Sequence, residues 1–474
     1  AGARASIGGR VGMYKWNAVL AALALAGCAT TQSSNETRGM SLDIPYAWAQ
    51  EQGAENEQVS ASWWHGFGSP ELSALVEQAR TQSLDVAAAV ARVQQADARA
   101  AYARAARVPD LNADFGATRS AAMDSHTERD ASTWRVGLSS SYELDFWGRQ
   151  RALRDAAESN RQASVFDRET VRLTVTASVA QAWLQCVGLR ERAAIAQLNL
   201  EISERLLKLV ESRARYGAAT SVELAQQRGQ VAAQQRVVAL LRKQIADAHA
   251  VLALLSGQWT MDLVSETSLS NLAIPGVRQG TPADLITRRP DVAKAEAQLL
   301  AADANLAAAR AAMLPRVTLT AGLSSESEKF SRLLENPLSS LAAGILAPIF
   351  DAGRLASNRE LAAAQKQELV IGYRKAILQA FNDVQTALNA VDGAERQAVV
   401  QAEEVAQAQR ALSLAESRYK AGADNLQTLL DVQRVAYQSR DLAVQIRQER
   451  LQASIALYRA LGGGWRRLPE GPES

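Results

Sequence analysis

The feature that most constrains the fold is an internal repetition, in which landmarks of the first half recur in order at an offset of 205 or 206 residues. The landmarks and their copies are Asp85-Val86 and Asp291-Val292, Pro109 and Pro315, Gly148-Arg149 and Gly353-Arg354, and Glu211-Ser212-Arg213 and Glu416-Ser417-Arg418. Self-similarity at a fixed spacing is the signature of repeated structural units. We therefore expect two tandem structural repeats, at residues 70–257 and 282–463, with an equatorial linker at 258–281 and a C-terminal tail at 464–474.

The placement of proline indicates where long helices can form, because proline breaks a helix interior. The eleven prolines leave two long stretches without one, at 110–274 and 349–468. Apolar residues recur there at helical spacing, and Trp183 and Cys186 fall on such a stripe. We expect both side chains to be packing residues in the core of a mainly helical protein.

Each repeat is expected to contain one antiparallel helical hairpin. A helix over 149–216 would be about 100 Å long at 1.5 Å per residue. Glycine then interrupts the pattern, so the tips of the two hairpins are predicted near Gly217 and near Gly422. The return helix of the first repeat should stop at Ser256-Gly257.

Between the helices, each repeat carries a pair of segments with the alternating pattern of β-strands, within hairpins at 108–146 and 315–350. The four predicted strands are 109–118, 133–146, 316–323 and 341–350. Their lengths suit transmembrane β-strands of about 9 to 11 residues. A soluble hairpin packed on helices is the alternative, but Phe146 and Trp147 lie where strand gives way to helix, as aromatic residues do at a membrane interface.

The number of strands has a consequence for assembly. Four strands cannot close a barrel, and an open sheet edge is not tolerated in lipid. Three chains with four strands each would supply twelve strands, an even number within the range known for membrane barrels. We expect a trimeric 12-stranded β-barrel that continues into a 12-helix α-barrel.

The N-terminal region has the pattern of a lipoprotein signal. A short basic segment follows Met13, and the apolar run at 18–26 is too short to span a bilayer. Leu25-Ala26-Gly27-Cys28 then resembles a bacterial lipobox, in which the cysteine is acylated. We expect residues 1–27 to comprise upstream residues and the signal peptide, with Met13 as the start. Residues 28–69 would be a lipid-anchored and equatorial segment; the alternative is a plain signal peptide with an incidental cysteine.

Composition argues against other classes of protein. The formal net charge is only +2, so nothing steers the chain toward nucleic acid. Three histidines and two cysteines, without ligand-like spacing, favour neither a metal site nor an enzyme. No cofactor is expected beyond the covalent lipid on Cys28.

The chain resembles the TolC-type outer-membrane factor family, most closely the lipoprotein branch that serves RND efflux pumps. The matching stretches are Ser141 to Arg149, Arg289 to Val292, Pro348 to Arg354, Arg418 to Gly422, and Leu429 to Arg434. The resemblance implies a homotrimeric, passive exit duct for small molecules or drugs, which works with a periplasmic adaptor and an inner-membrane pump.

The resemblance also assigns residues. Asp431 would form an acidic ring at the periplasmic gate with Arg434 as its partner, and Tyr419 and Glu223 would belong to the closing contacts. Thr428 stands where some relatives have a second aspartate. The expected adaptor-contact tips contain Arg213, Gly217, Arg418 and Gly422. The strand-to-helix junctions are marked by Trp147, Gly148, Arg149, Gly353 and Arg354.

Two alternatives to the efflux duct remain open. A type I protein-secretion duct would share the architecture, although the lipobox and the Trp147-Gly148-Arg149 junction favour efflux by analogy. A coiled-coil lipoprotein that spaces the envelope without transport would need the helices but not the strand pairs.

Overall fold

The computed structural model describes residues 59–120, 131–260, 267–276 and 282–467. The predicted signal peptide, Cys28, and the parts of the linker and tail at 261–266, 277–281 and 468–474 lie outside these ranges. In chain order the elements are α1 (Pro70–Gln82), α2 (Leu84–Ala105), β1 (Asn112–Ser120), β2 (Ala131–Leu144), α3 (Arg149–Arg215), α4 (Ser221–Leu255), α5 (Pro282–Arg288), α6 (Pro290–Ala311), β3 (Arg316–Ser327), β4 (Leu338–Leu346), α7 (Arg354–Lys420) and α8 (Leu426–Ala460). Among the described residues, no helix is both long enough and apolar enough to cross a membrane.

The two halves of the described chain follow the same order of elements. Helices α3 and α7 are each 67 residues long, which corresponds to about 100 Å, and α4 and α8 are each 35 residues long. The first return helix ends at Leu255, as the sequence predicts. The helices turn at 216–220 and at 421–425, where the sequence places Gly217 and Gly422.

The helices form one layer of four rods that lie side by side, with the two long helices of each hairpin antiparallel. Nearer the hairpin tips, α3 lies between α4 and α8, and α8 also packs on α7; nearer the sheet, α3 lies between α2 and α6, and α6 also packs on α7. The ends of α4 and α8 abut the starts of α2 and α6, which makes two of the rods composite. Gly257 and Gly462 permit these joints: both have positive φ, and a Cβ would overlap the carbonyl groups of Gln82 and Arg288.

The four strands form one antiparallel sheet in the order β1-β2-β3-β4. Its register places apolar side chains opposite one another on one face, for example Phe115 opposite Val136 and Leu138 opposite Leu323. Polar and small residues such as Ser141 oppose one another on the other face. Within the described chain, the outer strands β1 and β4 each pair with one strand only.

The predicted bounds of the last strand were wrong at both ends. The segment 341–350 was expected, but β4 runs from Leu338 to Leu346. Pro348 lacks the N–H group that a strand ladder requires, so the apolar residues Ile349 and Phe350 follow the sheet rather than extend it.

A compact apolar core lies where α3 passes the short helix α1. Trp63, Trp64 and Phe67, from a 3₁₀ turn before α1, are buried there with Trp183 and Cys186 of α3. The Trp63 ring stacks on Tyr458 at 5.1 Å between centroids. The predicted packing roles of Trp183 and Cys186 are therefore confirmed.

Candidate functional site

The first strand-to-helix junction is closed by polar contacts around Trp147. Its indole Nε1 donates to the carbonyl oxygen of Pro315 at 2.7 Å, which joins the junction of the first half to the start of β3. Arg149 donates through Nε and Nη2 to the two carboxylate oxygens of Glu143, at 2.9 and 2.6 Å. Asp145 accepts from two backbone N–H groups in the first turn of α3, where the helix dipole favours a negative charge.

At the second junction an aspartate again caps the start of a helix, but the backbone dihedral angles before the helix differ. Asp351 accepts from the backbone N–H groups of Gly353 and Leu355, at 3.0 and 2.9 Å. Gly353 and Ala352 both have positive φ, 84° and 54°, and Ala352 is the only non-glycine residue of the described chain with this geometry. Gly148 has the same left-handed geometry at the N-cap of α3, so glycine at both predicted positions lets strand turn sharply into helix.

The second hairpin tip is held by a local ion pair. Arg418 Nε donates to Asp424 Oδ2 at 3.1 Å, and Gly422 takes positive φ at the turn. This hydrogen bond is the main cause that lowers the pKa of Asp424 below its ordinary value. Arg418, expected at an adaptor contact, therefore stabilises the tip itself.

Glu223 has a local role at the first tip. Its carboxylate accepts from the backbone N–H of Thr220 at 2.6 Å, while the Thr220 hydroxyl accepts from the Glu223 N–H at 3.2 Å. These reciprocal bonds form a capping box at the start of α4. Gly217 takes positive φ in the turn that precedes it.

The two tips are joined through Arg213 and Tyr419. The guanidinium of Arg213 lies 4.6 Å from the centre of the Tyr419 ring, and its Nη2 donates to the Tyr419 carbonyl at 3.4 Å. Tyr419 is buried against Val210 and Leu426. The predicted tip residue Arg213 and the predicted gate residue Tyr419 thus form one contact between the first and second hairpins.

Asp431 lies near the start of α8 and carries two partners on its own helix. Arg434 Nη2 donates to Oδ1 at 3.2 Å, and Gln427 Nε2 donates to Oδ2 at 3.1 Å. The side chains of Asp431 and Arg434 are 50% and 65% exposed, which leaves the pair free to rearrange. The nearby Thr428 is bonded instead to Asn425, the N-cap of α8.

A further set of polar contacts, which was not predicted from the sequence, joins α3 to α8. Arg192 forms a two-pronged ion pair with Asp441, at 2.7 and 3.0 Å. One heptad closer to the sheet, Gln448 Nε2 donates to Gln185 Oε1 at 2.5 Å. The available signal was the seven-residue spacing on both helices, which coiled-coil geometry places on one seam.

A family model described as "Outer membrane efflux protein" matches residues 75–258 and again 281–463. The chain belongs to this family. The two matched ranges correspond to the two repeats predicted from the sequence, and together they span most of the described chain.

Individual members of the outer membrane efflux protein family resemble the chain along nearly its whole length. The pyoverdine export outer membrane protein OpmQ of Pseudomonas aeruginosa is 44% identical over 465 residues, which cover 96% of this chain and 97% of that protein. The probable outer membrane lipoprotein SilC of Salmonella typhimurium is 31% identical, covering 87% and 90%. The open state of the Neisseria gonorrhoeae MtrE outer membrane channel superposes with a TM-score of 0.83 at 25% identity, covering 90% and 97%.

These relationships establish the fold, the general function and the location of the protein. It has the fold of a TolC-like outer-membrane channel, mostly helical with a small sheet. It is an outer-membrane component of an efflux system. The family is one of export channels and not of enzymes.

Proposed function

We propose that the chain is the exit duct of a tripartite, RND-type efflux system and that it works as a passive homotrimeric channel. The observation that carries this proposal is the amphipathic four-stranded sheet with two singly paired edges. In lipid, unpaired backbone groups at these edges would be strongly unfavourable, so β1 of one chain should pair with β4 of the next. Three chains close a barrel of twelve strands.

The helical layer supports the same symmetry. Its outer rods, formed by α4 with α2 on one side and α7 on the other, expose large apolar side chains that a single chain leaves uncovered. Examples are Val251 and Leu254 on α4, and Ile371 and Val400 on α7, all more than half exposed. Contact between α4 of one chain and α7 of the next would bury them and complete an α-barrel of twelve rods.

We place the periplasmic gate at the tips of this α-barrel. Three copies of Asp431 around the axis would attract cations and repel anions. Arg434 sets how much of that negative charge is compensated within each chain. The Arg213–Tyr419 contact would hold the second hairpin against the first in the closed state, and the Glu223 capping box would keep the first tip rigid.

The remaining parts of the system follow from this architecture. The tips around Gly217 and Gly422 would meet a periplasmic adaptor and, through it, an inner-membrane pump that supplies the energy. Cys28 would carry lipid that anchors the chain in the outer membrane, supported by the lipobox-like residues before it and by the lipoprotein name of SilC.

Small molecules are the proposed cargo. The relative OpmQ is named for export of pyoverdine, and its similarity over 96% of this chain favours small-molecule export over a type I protein-secretion duct. An envelope spacer without transport is less consistent with the sheet, since a spacer needs no β-barrel.

The trimer is tested by native mass spectrometry of the detergent-purified protein. The main species should carry three chains, each of about the mass of the mature form of this 50.9 kDa sequence. A main species of one chain would contradict the proposal, because a four-stranded sheet cannot close on itself.

A further inference from the structure

The contacts between α3 and α8 form the beginning of a regular polar ladder. Gln185 meets Gln448, and Arg192 meets Asp441. Seven residues forward along α3 are matched by seven residues backward along α8, as antiparallel helices in coiled-coil register require. The first rung is closely fitted, because a Cβ at Gly188 would overlap the Gln448 side chain.

The next step of the ladder brings Asn199 opposite Arg434, and this rung is not formed. Both residues line one cavity of about 400 Å³ between α3, α4 and α8. Asn199 is only 4% exposed, yet its Oδ1 has no hydrogen-bond partner among the described residues. Buried carbonyl oxygens are nearly always bonded, so this acceptor marks a place for a donor.

Arg434 can supply that donor. Its guanidinium binds the exposed carboxylate of Asp431 at 3.2 Å, but its side chain is 65% exposed and is not fixed by packing. A bond to Asp431 in solvent contributes little, since exposed ion pairs are weak. A bond to a buried oxygen in the cavity is shielded from water and can compete with it.

We propose that Arg434 alternates between two acceptors, Asp431 at the tip and Asn199 Oδ1 in the cavity, and that Asn199 is thereby a positioning residue of the gate. When Arg434 donates to Asn199, the polar contacts between α3 and α8 extend seven residues closer to the tips. Asp431 then loses the Arg434 guanidinium as its ion-pair partner, and the acidic ring carries its full negative charge. This inference rests on the proposed gate at Asp431.

The structural test removes the competing acceptor. Asp431→Asn is a substitution at a half-exposed position and should not disturb folding. In a cryo-EM structure of the variant trimer in nanodiscs, Arg434 should lie within about 3.2 Å of Asn199 Oδ1. If the guanidinium stays at the tip, or if water alone occupies the cavity beside Asn199, the proposal is wrong. The double variant Asp431→Asn/Asn199→Leu is the control, in which Arg434 should leave the cavity.

The functional test strengthens the cavity acceptor. Asn199→Asp gives Arg434 a charged partner in the cavity. The ratio of Arg434 bound in the cavity to Arg434 bound at Asp431 should rise by about fivefold or more. The cation-to-anion permeability ratio in planar bilayers should rise, because the Asp431 ring is then uncompensated. The same substitution in an Arg434→Gln background should leave the ratio unchanged; an equal rise there would contradict the switch.

The two tests separate the inference from the function on which it rests. If wild-type trimers do not conduct, the proposed channel fails, while the cryo-EM comparison still reports where Arg434 lies. If the trimers conduct and Arg434 does not move, the channel stands and the switch is rejected.

Discussion

Arg192 and Asp441, which lie 249 residues apart in the chain, form a two-pronged ion pair that joins α3 to α8. The pair is one of the polar contacts that tie the first hairpin to the second along their length. Arg192 lies about two thirds of the way along α3 from the sheet to the tip. The ion pair is therefore a fixed point, and between it and the tips the second hairpin could move relative to the first.

Loss of this ion pair should destabilise the protein. Asp441→Ala removes the two hydrogen bonds from Arg192 and a third from Gln445 Nε2 at a partly buried site, and we expect a cost of about 1–2 kcal/mol. The matched control is Asp392→Ala, whose partner Arg396 is 79% exposed, with an expected cost below about 0.5 kcal/mol. Thermal unfolding in detergent, followed by circular dichroism at one scan rate, distinguishes them. Equal midpoints would mean that the ion pair contributes nothing.

The composite rod of α8 and α6 should depend on the absence of a side chain at Gly462. Gly462→Ala would place a Cβ against the Arg288 carbonyl at a residue with φ of 86°, and we expect a loss of about 2–4 kcal/mol. Gly372→Ala, in the interior of α7, meets nothing within 4 Å and should instead stabilise by about 0.5–1 kcal/mol. Denaturant unfolding should give opposite signs for the two variants. The same sign for both would contradict the close approach at the joint.

The contact between the tips should hold the gate closed. Arg213→Ala removes the cation–π contact with Tyr419 and a hydrogen bond, together about 1–2 kcal/mol. Open events in single-channel records should become about five to thirty times more frequent. Arg215→Ala removes an equal charge from the same tip and should have a small effect. If both variants open equally often, net charge and not the Arg213–Tyr419 contact controls opening.

The thiol of Cys186 should be inert while the protein is folded. Burial raises its pKa to about 11, so very little thiolate exists at pH 8, and the fraction grows only as the pH approaches that value. Alkylation by iodoacetamide at pH 8 should be at least about a hundredfold slower than in the unfolded chain. Val222→Cys places a thiol on an exposed part of the first tip and serves as the reactive control. Rapid labelling of Cys186 in the folded trimer would contradict its burial.

The long helices and tips were predictable because local chemistry alone determines them. Proline-free apolar periodicity indicated helices, and Gly217 and Gly422 marked their ends, within a residue or two of the observed bounds. The last strand was misplaced because the apolar residues Ile349 and Phe350 resemble a strand. Pro348 before them has no backbone N–H to donate, and β4 ends at Leu346.

Contacts between segments that are distant in the chain were harder to predict from the sequence. The Arg213–Tyr419 contact depends on how two hairpins pack, which residue spacing within either hairpin does not specify. The capping box of Glu223 was readable from Thr220 three residues earlier, yet the family resemblance directed attention to a gate role instead. The α3–α8 ladder required the pairing of two helices to be known before its heptad spacing had meaning.

In the proposed assembly, three chains form a gated channel whose narrowest point is lined by Asp431. Single-channel recording in a planar bilayer tests it, with wild type beside Asp431→Ala and with Asp392→Ala as the control for loss of an aspartate elsewhere. We predict small, mostly closed, cation-preferring events for wild type and for the control, and larger, less cation-selective events for Asp431→Ala. Folded trimers of all three proteins that conduct no current would contradict the account and favour an envelope spacer.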